Sequence, residues 1–175
     1  MEASMAERFV QTLPPRVSSS LSAKYERDRQ AVEAFLAQIL APGSPQQGGC
    51  PIPAAILYSV FGDAQRVRPI LALRVSRLLG SETKHSLRAG AAVEILHSAS
   101  LIVDDLPCMD NEALRRGRPA VHVEFGEASA MLAAFTMVAL AARIVMEVPA
   151  TPEQFQRTRT FQLALLRTLD IGALV

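Results

Sequence analysis

Between Ala128 and Ala142 the chain reads ASAMLAAFTMVALAA, 15 residues without a charge, closed by Arg143. A membrane-crossing helix needs roughly 20 apolar residues, so this segment predicts a helix buried inside protein instead. A helix of that kind needs covering partners, and the other hydrophobic positions repeat with helical spacing.

Val32, Phe35, Leu36, Ile39 and Leu40 form an apolar stripe that predicts a helix over 22–40. The Pro/Gly-rich stretch APGSPQQGGCPIP, 41–53, reads as a linker, and a short helix is expected at 54–61. The next helix is expected over 66–79, with Pro69 in its first turn and Gly80 as its C-terminal cap. Ser81 or Thr83 opens a helix over 83–105. A loop or broken helix covers 106–126, and the apolar helix spans 127–147 until Pro149 ends it. Thr151, Pro152 and Gln154 then open a further helix. No strand and no repeat is expected. The class is therefore all-α, an antiparallel helical bundle, with residues 1–21 as a flexible polar arm and 22–175 as the domain.

The formal net charge of +1 points to neither nucleic acid nor an anionic membrane. Two cysteines, Cys50 and Cys108, lie far apart and have no metal-ligand spacing. They suggest free thiols in a reducing compartment, and the N-terminal MEASMAERFV is neither a signal nor a transit peptide. The expected location is cytoplasmic, with no membrane span.

LIVDDLPCMD, 101–110, sets Asp104, Asp105 and Asp110 among apolar residues, where unneutralised charges are costly. On a regular helix His97 and Ser100 share the face of Asp104, but Asp110 would lie about 240° away. Pro107 cannot donate to the carbonyl of Val103, and a helix loosened there could bring both carboxylates toward one cation. Carboxylates without His or Cys ligands suit a hard ion such as Mg2+, which takes one or two of them and completes its shell from water and substrate phosphate. LRRGR, 114–118, follows at once, and Arg115, Arg116 and Arg118 are suited to forked phosphate contacts. Arg66 and Arg68 in QRVRP form a second candidate phosphate site. Together these groups point to a diphosphate ester bound through Mg2+.

LHSASLIVDDLPCMDNEALRRGRPAVHVEFGE, 96–127, resembles the first aspartate-rich region of the trans-isoprenyl diphosphate synthases, the polyprenyl synthetase family, of geranylgeranyl or farnesyl diphosphate synthase type. YSVFGDAQRVRP, 58–69, resembles that family's upstream basic motif, and AAVEILH, 91–97, matches as well. The resemblance implies an isoprenoid-synthase fold of helices around a large central cavity, usually dimeric. It implies a prenyltransferase of isoprenoid biosynthesis that joins isopentenyl diphosphate to an allylic diphosphate with Mg2+. It further implies Asp104 and Asp110 as metal ligands, with Asp105 between them, and Arg115 as the group that holds the allylic diphosphate. Gln65, Arg68, His97 and Arg116 correspond to the isopentenyl diphosphate site.

There are departures. Gln65 stands where the family carries Lys, so isopentenyl diphosphate binding should be weaker. Val103 replaces a His, and Ala134-Phe135 replaces a Gly-Asp pair. Ser100 and Ala99, at the pocket floor, are small and suit a long product. The family's second aspartate-rich motif is not among these 175 residues, and after Asp110 the sequence holds only Asp170. The expectation is a C-terminally truncated member, inactive or weakly active alone. The alternative is a noncatalytic small subunit or paralogue. A homodimer, or a heterodimer with a full-length synthase, is the expected assembly.

Overall fold

The computed structural model describes residues 15–40, 49–62, 64–80, 83–147 and 155–168. Among these residues there are seven helices: α1 (Pro15–Leu40), α2 (Ile52–Val60), α3 (Val67–Leu78), α4 (Thr83–Asp104), α5 (Val121–Phe125), α6 (Glu127–Met146) and α7 (Phe155–Thr168). Two strands of two residues each, β1 (Leu114–Arg115) and β2 (Arg118–Pro119), form an antiparallel ladder.

The all-α expectation holds, and most boundaries fall where the local signals put them. Pro69 lies in the first turn of α3, and Gly80 follows the helix at φ 72° with its N–H on the carbonyl of Arg77. That positive φ is the conformation a helix C-terminus assigns to glycine. α1 is longer than expected and takes in residues 15–21. Pro15 starts it, at the position where a missing N–H costs nothing. Residues 1–14 of the expected arm, the linker residues 41–48, Ser81 and the opening of the last helix at 151–154 lie outside the described residues. The expectation of no strand is corrected at 114–119, where turn chemistry makes a hairpin too short to show a period-2 pattern.

α4 is the central element. Its Ala91, Ala92, Ile95, Ala99 and Ile102 are buried, and it packs on α1, α2, α3 and α6. α6 meets it with Ala130, Ala133, Ala134, Met137, Ala141, Ile144 and Val145, a stripe of helical period. The many alanines let the two helices approach closely. α1 closes the other side with Val32, Leu36 and Leu40.

Gly90 marks the tightest crossing. A Cβ there would sit 2.9 Å from the Cα of Pro69, so nothing larger than hydrogen fits without displacing the start of α3. Pro69 lies about two turns before the end of α3 and Gly90 about two turns after the start of α4, the pairing of an antiparallel helical hairpin.

The apolar helix is buried on one side, and its other side keeps the exposed apolar surface expected of 127–147 where the family's later helices are missing. On α6 Met131, Leu132, Phe135 and Met146 are exposed, Phe135 at 64%. α4 and α6 are both long and apolar enough to cross a membrane by length and composition, yet their small-residue faces pack on each other.

Candidate functional site

The aspartate segment folds as the proline dictates. α4 ends at Asp104, its last turn tightened by the N–H of Leu106 on the carbonyl of Val103, 3.1 Å. Pro107 has no N–H to continue the ladder. The chain turns back, and the Asp110 N–H donates to the carbonyl of Asp104 at 2.8 Å. Asn111, at φ 53°, donates to the carbonyl of Leu106 and completes the turn. The backbones of Asp104 and Asp110 are thereby joined, whereas a continuous helix would separate them. Asp104 is half-buried and Asp110 exposed.

Asp105 has a different fate. It is 2% exposed, and its carboxylate accepts from Arg115 Nε at 3.0 and 3.1 Å and from Arg115 Nη2. An arginine thus neutralises the middle aspartate, so no metal ion is needed to offset that charge. The Asp105 carboxylate holds Arg115's proton above the usual arginine value, against the opposing effect of burial. Nη1 of Arg115 makes no hydrogen bond to the described residues and remains available to an anion.

LRRGR is a two-residue hairpin. Arg116 at φ 55° and Gly117 at φ 74° both take the left-handed conformation of a type I′ turn, and Arg115 pairs with Arg118 across it. The turn puts Arg116 at an exposed tip. Arg118 lies over the ring of Tyr58, 3.9 Å from its centroid.

The basic motif before α3 divides in a similar way. Arg66 is the cap residue at φ 54°, and its guanidinium is buried. It donates to Glu33 at 2.8 and 3.3 Å, to Glu94 at 2.9 Å and to the carbonyl of Val60 at 2.6 Å. Burial alone would lower its pKa, but hydrogen bonds to Glu33 and Glu94 raise it above the usual arginine value. Arg66 is therefore withdrawn from the expected phosphate site. Arg68, in the first turn of α3, and Gln65 are exposed, and the carbonyl of Gln65 accepts the hydroxyl of Tyr25. No acidic residue lies in that first turn, so the positive helix N-terminus and Arg68 reinforce each other. That arrangement is unfavourable without an anion and favourable with one.

His97 links the two motifs. It is half-buried, and its pKa is lowered first by burial and then by the charge of Arg68, with Arg116 adding to the effect and Glu94 and Asp104 opposing it. At neutral pH it is an uncharged imidazole. The charges of Arg68, Arg116 and Asp104 thus all act on His97. A cleft of about 40 Å3 is lined by Tyr58, Leu101, Asp105, Arg115, Arg116 and Arg118. That is room for about three waters, far from the ~300 Å3 of an ordinary ligand pocket. The large cavity implied by the resemblance is not enclosed at this cleft.

Among the described residues no three His, Cys, Asp or Glu side chains gather where a metal ion could sit. The donor set still fits a hard divalent cation: Asp104 and Asp110 offer carboxylate oxygens at one helix end, and Mg2+ commonly takes one or two of these.

Two contributors escaped the sequence reading. Tyr58 anchors the hairpin, its hydroxyl donating to the carbonyl of Pro119 at 2.9 Å, and Glu94 holds Arg66. No local signal marks Tyr58, because its hydrogen bond to Pro119 spans 61 residues.

The polyprenyl synthetase family model matches residues 51–171. Geranylgeranyl pyrophosphate synthase 10, mitochondrial, of Arabidopsis thaliana is 48% identical over 87 residues, which is 50% of this chain and 25% of that protein. The heterodimeric geranylgeranyl pyrophosphate synthase large subunit 1, chloroplastic, of the same plant is 36% identical over 149 residues, 78% of this chain and 40% of its own length. The crystal structure of a geranyltransferase from Legionella pneumophila superposes with a TM-score of 0.76 at 32% identity, covering 85% of this chain and 51% of that one. The chain thus spans a quarter to two fifths of these two curated relatives and about half of the solved structure. The family match extends over more than half of the chain and takes in both arginine motifs, the aspartate turn and α6, so the protein belongs to the polyprenyl synthetase family.

Proposed function

We propose that the chain carries the diphosphate-binding half of a trans-type prenyltransferase, which condenses isopentenyl diphosphate with an allylic diphosphate to a geranylgeranyl- or farnesyl-type product. One observation carries the reading. Arg68, Arg116 and neutral His97 share a neighbourhood with Asp104, at a helix end where Asp110 folds back onto the same turn.

Asp104 and Asp110 would hold a divalent cation, Mg2+ by the hardness of the donors, and when bound it would stabilise the charge of the departing diphosphate. Arg115 turns one guanidinium edge to Asp105 and offers the other to the allylic diphosphate. Arg68 and Arg116 grip the diphosphate of the isopentenyl substrate, and Gln65 adds an uncharged amide donor. His97 donates a hydrogen bond without placing a third full charge there. Leu101, Ile102 and Val121 give the cleft an apolar wall that keeps water from a reacting carbocation.

The exposed apolar residues of α6 support assembly, with a second copy or with a longer synthase. The same surface favours a second reading, a noncatalytic subunit bound to such a synthase. Co-purification with a full-length synthase in the absence of any prenyl product would establish that reading instead. The compartment proposed is the cytoplasm. Relatives named mitochondrial and chloroplastic make organelles the alternative, and imaging of a fluorescent fusion decides between them.

Calorimetry tests the site. With millimolar Mg2+, a prenyl diphosphate should bind, and Asp104→Ala should abolish the Mg2+-dependent part. Binding that is indifferent to Mg2+ and to Asp104→Ala overturns the proposal.

A further inference from the structure

A hairpin with two-residue strands is not stable by itself, so its arginines are placed only as well as the hairpin is anchored. Among the described residues two anchors hold it. On β1, Arg115 is fixed to Asp105 of the α4 end. On β2 the anchor is Tyr58, from α2. Its hydroxyl donates to the Pro119 carbonyl at 2.9 Å, its ring lies under the Arg118 guanidinium at 3.9 Å, and its edge meets Phe125 of α5 with centroids 5.3 Å apart at 76°. One side chain thus reaches both residues of β2 and the helix that follows.

We propose that Tyr58 is a positioning residue of the diphosphate site, clamping the hairpin so that Arg116 at its tip is held at the cleft that Tyr58, Asp105 and Arg115 also line. The inference deepens the prenyltransferase reading and rests on it for the identity of the ligand. The clamp itself is a property of the fold. Arg118 acts as its handle: its cation stacks on the ring, and the ladder joins it to Arg115. The amide of Ala120, which donates to the carbonyl of Ala113 at 2.9 Å, closes the base of the hairpin and reports on its integrity.

The experiment uses the whole chain, with inorganic pyrophosphate and Mg2+ as the probe in calorimetry. Tyr58→Leu should weaken binding about fivefold or more, the scale of one lost cation–π contact with its hydrogen bond. Tyr58→Phe, which keeps the ring, should restore most of the affinity. In an Arg116→Ala background, Tyr58→Leu should change affinity less than about twofold, because the clamp acts through that arginine. Arg118→Met should reproduce the effect of Tyr58→Leu from the other partner, and it serves if that variant does not fold.

Hydrogen exchange supplies the ligand-independent reading. The Ala120 amide should exchange about tenfold faster in Tyr58→Leu while the α4 amides keep their wild-type rates. Unchanged Ala120 exchange, or fully additive losses in the double variant, overturns the clamp. A wild-type chain that binds no pyrophosphate while the variant loosens Ala120 sinks the function but leaves the clamp standing.

Discussion

QRVRP and LRRGR are both short arginine-rich segments, and each assigns one arginine to the fold and leaves another to solvent. Arg66 is enclosed by Glu33, Glu94 and the Val60 carbonyl, with a side chain fully out of water. Arg115 grips only Asp105 and stays 37% exposed, with one guanidinium edge open. The neighbours Arg68 and Arg116 are exposed, and both reach His97 electrostatically. An arginine motif therefore does not say which of its members meets the ligand. The decision rests with the carboxylates that other elements bring: two from α1 and α4 consume Arg66, and one consumes half of Arg115.

That contrast can be broken most forcefully at Arg66. Arg66→Met strands the buried Glu94, leaves the half-buried Glu33 without its partner, and should cost about 3–5 kcal/mol in urea unfolding, the scale of a broken buried pair. A loss below about 1 kcal/mol would mean that the network is not structural. Arg115→Ala leaves Asp105 buried without its cation. The arginine is partly solvated, so about 2–4 kcal/mol is expected by the same measurement, together with weaker diphosphate binding.

The exposed partners should reverse the pattern. Arg68→Ala and Arg116→Ala should each move stability within about 0.5 kcal/mol, yet weaken pyrophosphate binding by about 1.5–3 kcal/mol in calorimetry. If either variant unfolds the protein instead, the division between structural and ligand-facing arginines is wrong.

Gly90→Ala sharpens the same comparison from a distance. The added methyl meets Pro69 at 2.9 Å, beside Arg68. Overpacking should outweigh the helix-propensity gain and cost about 1–3 kcal/mol. Weaker pyrophosphate binding should accompany that loss, because the start of α3 is displaced.

The smallest effect is the titration of His97. Its folded pKa lies below the ordinary 6.5, so the unfolded chain takes up the proton first as pH falls. Melting temperature should therefore decline as pH drops through 6.5 and level off below the folded value. His97→Gln should flatten that slope. A melting temperature that rises over the same window would place His97 beside net negative charge and contradict the cationic neighbourhood.

Much of this was readable locally. The stripe Val32, Leu36, Leu40 and the cap at Gly80 follow from periods and backbone preferences within one element. The end of α4 follows from a missing N–H at Pro107. Asp104, Asp110, Arg68, His97 and Arg116 were singled out by residue type and spacing, and the resemblance assigned their roles. The hairpin went unseen because its Arg116-Gly117 turn lacks the Asn-Gly signature and its strands are too short to alternate. Composition reports how apolar α6 is, but only the packed structure shows which of its faces finds partners and that Met131, Leu132, Phe135 and Met146 do not.

The sequence alone determined that this chain is helical, where most of its helices stop, and that carboxylates and arginines are grouped within one short stretch. Those properties depend on residues within a few turns of one another. Only the tertiary structure decided that Arg66 and Asp105 belong to the fold and that Tyr58 holds the arginine hairpin. The contacts of Arg66 with Glu33 and of Tyr58 with Pro119 span 33 and 61 residues. A buried charge finds its partner by proximity in space, and chain order says little about who that partner is.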